Sequence, residues 1–266
     1  MMSTMTEENY LHVNKDLWNN RVKGHYSSDF YDIKKFKKTR NSLNSIELDL
    51  LGDLTGKNIL HLQCHFGMDT LSMANMGAKA VGLDFSQKAV DQAGRLRDEM
   101  ALEAEFICCN VTDAAKNINA KFDIVFTSYG TIGWIPELFP WAEQISKLLK
   151  PEGQFIMADF HPMVWIFDEN FSKISYSYFN KKSIIENASK SYASVKENGK
   201  SITWNHSLSE IFSALREYNL KLDEFKEFEY SPYPCFSNMI ELENGKFLQK
   251  NIKGMIPMVY AMKWHL

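Results

Sequence analysis

Between Gly56 and Asp159 the sequence alternates short apolar runs with amphipathic stretches, and this alternation limits the available folds more than any other feature. Apolar runs stand at Asn58–Leu62, Ala80–Leu83, Glu105–Cys109, Phe122–Thr127 and Gln154–Ala158. Their length and bounding turn residues suit strands better than helices. Helical patterns lie between most of them. Ser86 can N-cap a helix whose Ala89, Val90, Ala93, Leu96 and Met100 form one apolar stripe. Pro136 is expected to open another, ending near Lys147 and Lys150, with Pro151 and Gly153 beyond it. Later, Ser207-Leu208-Ser209-Glu210 reads as a capping box ahead of Ile211, Phe212, Leu215 and Tyr218. Two final strand-like runs follow, Leu220–Glu229 and Met255–Lys263. Strands alternating with helices imply a doubly wound α/β fold of roughly seven strands, mostly parallel and covered on both faces.

The stretches outside this rhythm divide the chain. Residues 1–50, polar and aromatic, read as an N-terminal helical cap, and 51–160 as the α/β core. Residues 161–206 carry Trp165, Phe167, Phe171, Tyr176, Tyr178, Phe179 and Trp204 among many Ser, Asn and Lys, and read as a lid-like insertion. Residues 207–266 would complete the sheet, giving one domain overall. The run Lys34–Lys38 is either a phosphate-binding patch or a solvated helix face, and the acidic residues nearby favour the solvated face.

With 266 residues, 45% hydrophobic and 24% charged, the chain can bury a sizeable core. A net charge of −3 argues against a nucleic-acid partner. The first residues lack the basic start and apolar core of a secretory signal, and no apolar stretch reaches the roughly 18–20 residues that span a bilayer. The four cysteines, Cys64, Cys108, Cys109 and Cys235, show no C-x-x-C spacing. A cytoplasmic protein with reduced thiols is expected, with no membrane partner.

The first strand feeds His61-Leu62-Gln63-Cys64-His65-Phe66-Gly67-Met68-Asp69-Thr70 and then a helix. A strand, a tight loop and a helix N-terminus gather backbone N–H groups and a positive dipole end around a ligand. About twenty residues on, the second strand ends at Asp84, placed to accept hydrogen bonds from both hydroxyls of a ribose. Dinucleotide-binding loops need glycines so that the backbone can approach a pyrophosphate. Here Gln63 and His65 occupy the first two glycine positions and only Gly67 remains. That crowding points to a nucleoside ligand without phosphates.

At Ile59–Asp159 the chain resembles the core of class I S-adenosylmethionine-dependent methyltransferases. The segments HLQCHFGMDT, VGLDFS, FDIVFTSYGTIGWIPE, WNHSLSE and SPYPCF resemble a bacterial subfamily of undefined substrate. The resemblance implies a Rossmann-like, seven-stranded, mostly parallel sheet with an antiparallel last strand. It assigns Gln63, Cys64, His65 and Gly67 to the methionine part of S-adenosylmethionine, Asp84 to the ribose and Phe85 to the adenine. Asn110 would face the adenine amino group with the Val111 N–H beside it, and Ser128 and Tyr129 would border the transferable methyl. His61 departs from the usual acid of the first motif. The implied activity is methyl transfer to a small-molecule acceptor. A non-catalytic cofactor-binding protein and a nicotinamide-dependent oxidoreductase are the alternatives on the same architecture.

Two histidines four apart with Cys64 and Asp69 could suggest a metal site, but His61 falls in a strand and His65 in a turn, so no metal is expected. His161 follows the fifth strand at the edge where open α/β sheets bind ligands. It is a candidate general base, alongside Tyr129 as the second catalytic candidate, or else a loop residue shaping the lid. Trp18, Trp134 and Trp165 could line the pocket or be plain core.

Overall fold

The structure, a computed structural model, describes residues 7–193 and 196–266. Three helices open it: α1 (Glu7–Tyr26), α2 (Ile33–Thr39) and α3 (Ser45–Leu51). The alternating core follows as β1 (Asn58–Leu62), α4 (Met68–Asn75), β2 (Lys79–Asp84), α5 (Gln87–Glu99), β3 (Ala104–Cys108), α6 (Ala114–Asn117), β4 (Phe122–Ser128), α7 (Leu138–Leu148) and β5 (Leu149–Phe160). A hairpin, β6 (Ile184–Lys190) and β7 (Lys196–Thr203), precedes α8 (Leu208–Glu217) and β8 (Lys221–Phe228). A short hairpin, β9 (Met239–Glu241) and β10 (Phe247–Gln249), leads to β11 (Val259–His265).

Seven strands form the main sheet in the order β3-β2-β1-β4-β5-β11-β8. The first five are parallel, and β11 runs antiparallel to both β5 and β8. The expected doubly wound sheet with an antiparallel last strand is therefore what the chain forms. The order reverses between β1 and β4, so the carboxyl ends of these strands open a crevice at the switch point. One face of the sheet packs on α7 and α8 through Trp141, Ile145 and Leu215, the other on α3 through Ile46 and Leu50, all buried.

The capping expectations hold locally. Ser86 Oγ accepts the Ala89 N–H at 3.2 Å, and Ala89, Val90, Ala93, Leu96 and Met100 are buried as the stripe requires. Ser207 Oγ accepts the Glu210 N–H and starts α8, but the expected capping box forms only by half, since Glu210 Oε1 pairs with His206 Nδ1 at 3.0 Å instead of returning to the Ser207 N–H. Pro136 does not open α7; the helix begins two residues later, with Glu137 as its N-cap. In α2 the four lysines are exposed while Ile33 and Phe36 are buried, which is the solvated-face arrangement.

The β6–β7 and β9–β10 hairpins had no sequence signal. The polar composition of β6 and β7 conceals a hairpin that lies along α1. Asn14, 1% exposed, donates from Nδ2 to the Ile202 carbonyl at 2.7 Å and accepts the Ile202 N–H at 2.9 Å. Tyr10 meets Trp204 edge to face at 5.1 Å. Gly199 lets β7 approach closely, since a Cβ there would lie 2.8 Å from Leu17 Cδ1. The N-terminal helix and the insertion thus form one roof. Among the described residues, no helix is long and apolar enough to cross a membrane.

This clamp gives a direct test. Asn14→Ala leaves two buried backbone groups of Ile202 unpaired, at about 1–3 kcal/mol each. Urea unfolding should report a loss in that range or above, and proteolysis should nick the β6–β7 hairpin faster. Unchanged stability would mean the hairpin is held elsewhere.

Candidate functional site

A cavity of about 1510 Å3 lies at the carboxyl ends of the parallel strands, beneath the roof. Its floor comes from the loops after β1, β2 and β4, including Gln63, Gly67, Asp84 and Ser128. Its cover comes from α1, the β6–β7 hairpin and the segment 233–237.

The loop after β1 keeps the shape of a glycine-rich turn without the glycines. Gln63, His65 and Gly67 all have positive φ, at 55°, 51° and 79°. For non-glycine residues this conformation costs about 1–2 kcal/mol each, and the surroundings compensate. Gln63 Nε2 donates to the Thr131 carbonyl at 2.8 Å. The Cys64 N–H donates to the Leu83 carbonyl at 2.9 Å, and the Gly67 N–H to the Cys64 carbonyl at 2.9 Å. His65 Nε2 lies 3.2 Å from His25 Nδ1 on α1, and burial holds both rings neutral, His25 down at about 3. Gly67 is required for space as well as for φ. A Cβ there would lie 2.5 Å from Phe106 Cε1.

Asp84 ends β2, buried at 6% exposure but opening on the cavity. Its carboxylate accepts the His65 N–H on Oδ2 and the Ser86 N–H on Oδ1, both at 2.8 Å. Burial pushes its pKa up to about 6, with the two N–H donors opposing. A carboxylate has about four lone-pair sites, so it can still accept ligand hydroxyls. Phe85, Asn110 and Val111 line the cavity next to it, with Asn110 Nδ2 tied to Thr112 Oγ1 at 2.8 Å.

Beyond β4, Asp159 accepts the Gly130 N–H and, at 2.7 Å, the Phe160 N–H. This holds the loop that carries Tyr129, at φ 34°, and Trp134. Ser128 Oγ donates to Asp69 Oδ2 at 3.3 Å, and Ser42 Oγ to Asp69 Oδ1 at 2.6 Å. Burial raises the pKa of Asp69. Trp18 meets His65 and Trp134 edge to face, each at 5.2 Å, and Arg21 lies over both indoles.

The structure brings Gln63, Cys64, His65, Gly67, Asp84, Phe85, Asn110, Val111, Ser128 and Tyr129 to one cavity. His161 is the exception and requires a correction. It is not among the lining residues; its Nδ1 accepts the Met163 N–H at 3.1 Å, and its Nε2 lies 3.0 Å from Glu227 Oε1. Following β5 placed the backbone at the edge, but the side chain turned toward β8 to cap the short turn after it. That position matches the loop-shaping alternative given for His161. His61 bonds Thr70 Oγ1 at 2.9 Å and packs on Phe126, and among the described residues no three His, Cys, Asp or Glu converge to hold a metal. Sequence reasoning missed Ser42, Glu47 and Tyr233. The S-P-Y-P-C-F segment drew notice as a motif, but nothing local shows that Tyr233 faces Tyr129, 104 positions earlier in the chain.

Strand order, crevice and loop together define the Rossmann-like fold of S-adenosylmethionine-dependent methyltransferases. One from Clostridium acetobutylicum superposes with a TM-score of 0.57 at 16% identity, covering 95% of this chain and 98% of that one. Another, from Methanosarcina mazei, gives 0.55 at 15% identity, covering 85% and 98%. A methyltransferase-domain family model matches residues 54–218, and the chain belongs to that family. The ubiquinone biosynthesis O-methyltransferase of Alkalilimnicola ehrlichii is 28% identical over 136 residues, 50% of this chain and 55% of that protein. Its Neisseria meningitidis counterpart is 31% identical over 122 residues, 44% and 50%. The chain spans about half the length of the curated relatives it matches.

The loop geometry sets a contrast between two glycines. Gly67→Ala combines positive φ with overlap on Phe106 and should cost about 2–4 kcal/mol in urea unfolding. Gly94→Ala, on α5 with nothing within 4 Å of the added Cβ, should gain about 0.5–1 kcal/mol. Equal effects at both sites would contradict this account of the loop.

Proposed function

We propose that this protein transfers the methyl group of S-adenosylmethionine to a small-molecule acceptor in the roofed cavity. The observation that carries the reading is Asp84, a buried carboxylate that opens into the cavity beside the left-handed loop and braces it. When bound, the cofactor supplies an electrophilic methyl on a good leaving group. The chain's residues fit it. Asp84 would take the ribose hydroxyls, with Phe85 and Val111 flanking the adenine and Asn110 beside it. Gln63 Oε1 and His65 Nδ1 are buried without hydrogen-bond partners, the state in which a polar ligand is accommodated at least cost. Residues 63–67 and the α4 N-terminus would hold the methionine part, whose carboxylate needs N–H donors but no phosphate-sized clearance.

The remaining work is alignment and exclusion of water, for which the aromatic roof formed by the described residues of 1–50 and 161–206 is suited. Arg21 and Lys35 are the only lysines or arginines among the described lining residues, which favours a small molecule over nucleic acid. The curated relatives are named as O-methyltransferases, which favours oxygen as the attacked atom. Free thiols at Cys64, Cys108, Cys109 and Cys235 fit a cytoplasmic location.

Calorimetry should detect binding of S-adenosylmethionine or its demethylated product and little heat from nicotinamide dinucleotides; the reverse would overturn the reading. Asp84→Ala should weaken cofactor binding by about 1.5–3 kcal/mol, roughly 10- to 150-fold, and should also lower Tm, because the His65 and Ser86 N–H groups lose their acceptor. The pH dependence has a defined sign. Ribose hydroxyls donate to the ionised carboxylate, so affinity should fall as pH drops through about 6, where Asp84 becomes protonated. In Asp84→Asn that dependence should vanish.

A further inference from the structure

One side chain of the N-terminal helix reaches past the roof to the turn that carries Asp84. Asn19, on α1, directs its Oδ1 at the start of α5, where it accepts two hydrogen bonds, from Ser86 Oγ at 2.8 Å and from the Lys88 N–H at 3.2 Å. The first N–H groups of any helix have no partner within it. At α5 two of them are answered from different places. Ser86 Oγ accepts the Ala89 N–H at 3.2 Å as the helix's own cap, while Asn19 accepts the Lys88 N–H from another helix. Asn19 and Lys88 stand 69 positions apart, so no local pattern records this second cap.

The bond to Ser86 bears on the ligand. Ser86 is 0% exposed, and its N–H donates to Asp84 Oδ1 at 2.8 Å. A serine hydroxyl carries one proton and rotates to suit its partners. Asn19 takes that proton, which aims an Oγ lone pair at the Ala89 N–H and fixes the turn whose N–H meets Asp84. Roof and carboxylate are therefore joined through Ser86 by two hydrogen bonds of 2.8 Å. The neighbouring Trp18 meets His65 edge to face at 5.2 Å, and the His65 N–H is the other donor to Asp84. Helix α1 thus backs both turns that hold this carboxylate.

We propose that Asn19 is a positioning residue for the cofactor: through Ser86 it holds Asp84 in the orientation that receives the ribose, so the roof sets cofactor affinity as well as enclosing the cavity. This rests on the methyltransferase reading above. Asn19 is not among the described residues that line the cavity, so its effect is transmitted rather than made by contact. Coupling of this kind is reciprocal. A ligand on Asp84 tightens the first turn of α5 against α1.

The test titrates S-adenosylhomocysteine into the full chain by calorimetry at about pH 8, well above the value of about 6 at which Asp84 takes up a proton. Asn19→Ala should raise the Kd about 3- to 10-fold, the scale of one net hydrogen bond. Asn19→Asp keeps an acceptor oxygen and should stay within about twofold of the parent. In an Asp84→Ala background, Asn19→Ala should add almost nothing, because the residue acts through that carboxylate. Hydrogen exchange at the Lys88 amide should quicken in Asn19→Ala and slow in the parent when the ligand binds. Asn14→Ala is the control: it frees α1 from the β6–β7 hairpin without touching α5, and its Kd should match the parent's. The proposal is overturned if Asn19→Ala binds as the parent does, if Asn14→Ala weakens binding as much, or if the Asp84 and Asn19 losses simply multiply. No binding to the parent would remove the methyltransferase reading and this proposal with it.

Discussion

The N–H groups of His65 and Ser86 both end on the carboxylate of Asp84, and the rest of the site depends on that convergence. One bond fixes the loop after β1 and the other fixes the start of α5, so a single side chain sets the spacing between two ligand-facing turns. The bond to His65 also helps explain why this loop can hold side chains at positions where glycine is cheaper. Each left-handed residue is disfavoured by about 1–2 kcal/mol, and a charge-assisted hydrogen bond contributes on the same scale. The site is therefore stiff because its strain is answered locally.

The second constraint comes from above. His65 reaches His25, and Trp18 packs between His65 and Trp134, so α1 rests directly on the loop. The β6–β7 hairpin in turn grips α1 through Asn14. Roof and floor share these contacts, which ties the enclosure of the cavity to the geometry of the loop after β1. Burial keeps both histidines uncharged, so the junction adds no positive charge near Arg21.

The core was legible because its signals are local. The strand runs and the Ser86 and Ser207 caps depend on residues within a turn or two of one another, and periodicity records them. Asp84 and the loop positions were equally readable, since a strand end and a following turn fix where backbone and side chain point. His161 shows the limit. Its place after β5 was correct, but the direction of its ring was decided by Met163 and by Glu227 on another strand. The hairpin left no signal because its polar strands are defined by backbone bonding to each other and to α1 rather than by an apolar face.

By itself, then, the sequence determined the sheet, its connections and the floor of the cavity, because each rests on contacts between near neighbours or on a period of two or 3.6 residues. Only the tertiary structure decided the cavity wall on the other side of Tyr129. Ser42, Glu47, Asp69, Tyr129 and Tyr233 come from four separate stretches and meet only when α3, α4, the β4 loop and the segment after β8 pack together. No spacing in the chain encodes that meeting. It follows from which face each element buries, and burial is a property of the assembled fold.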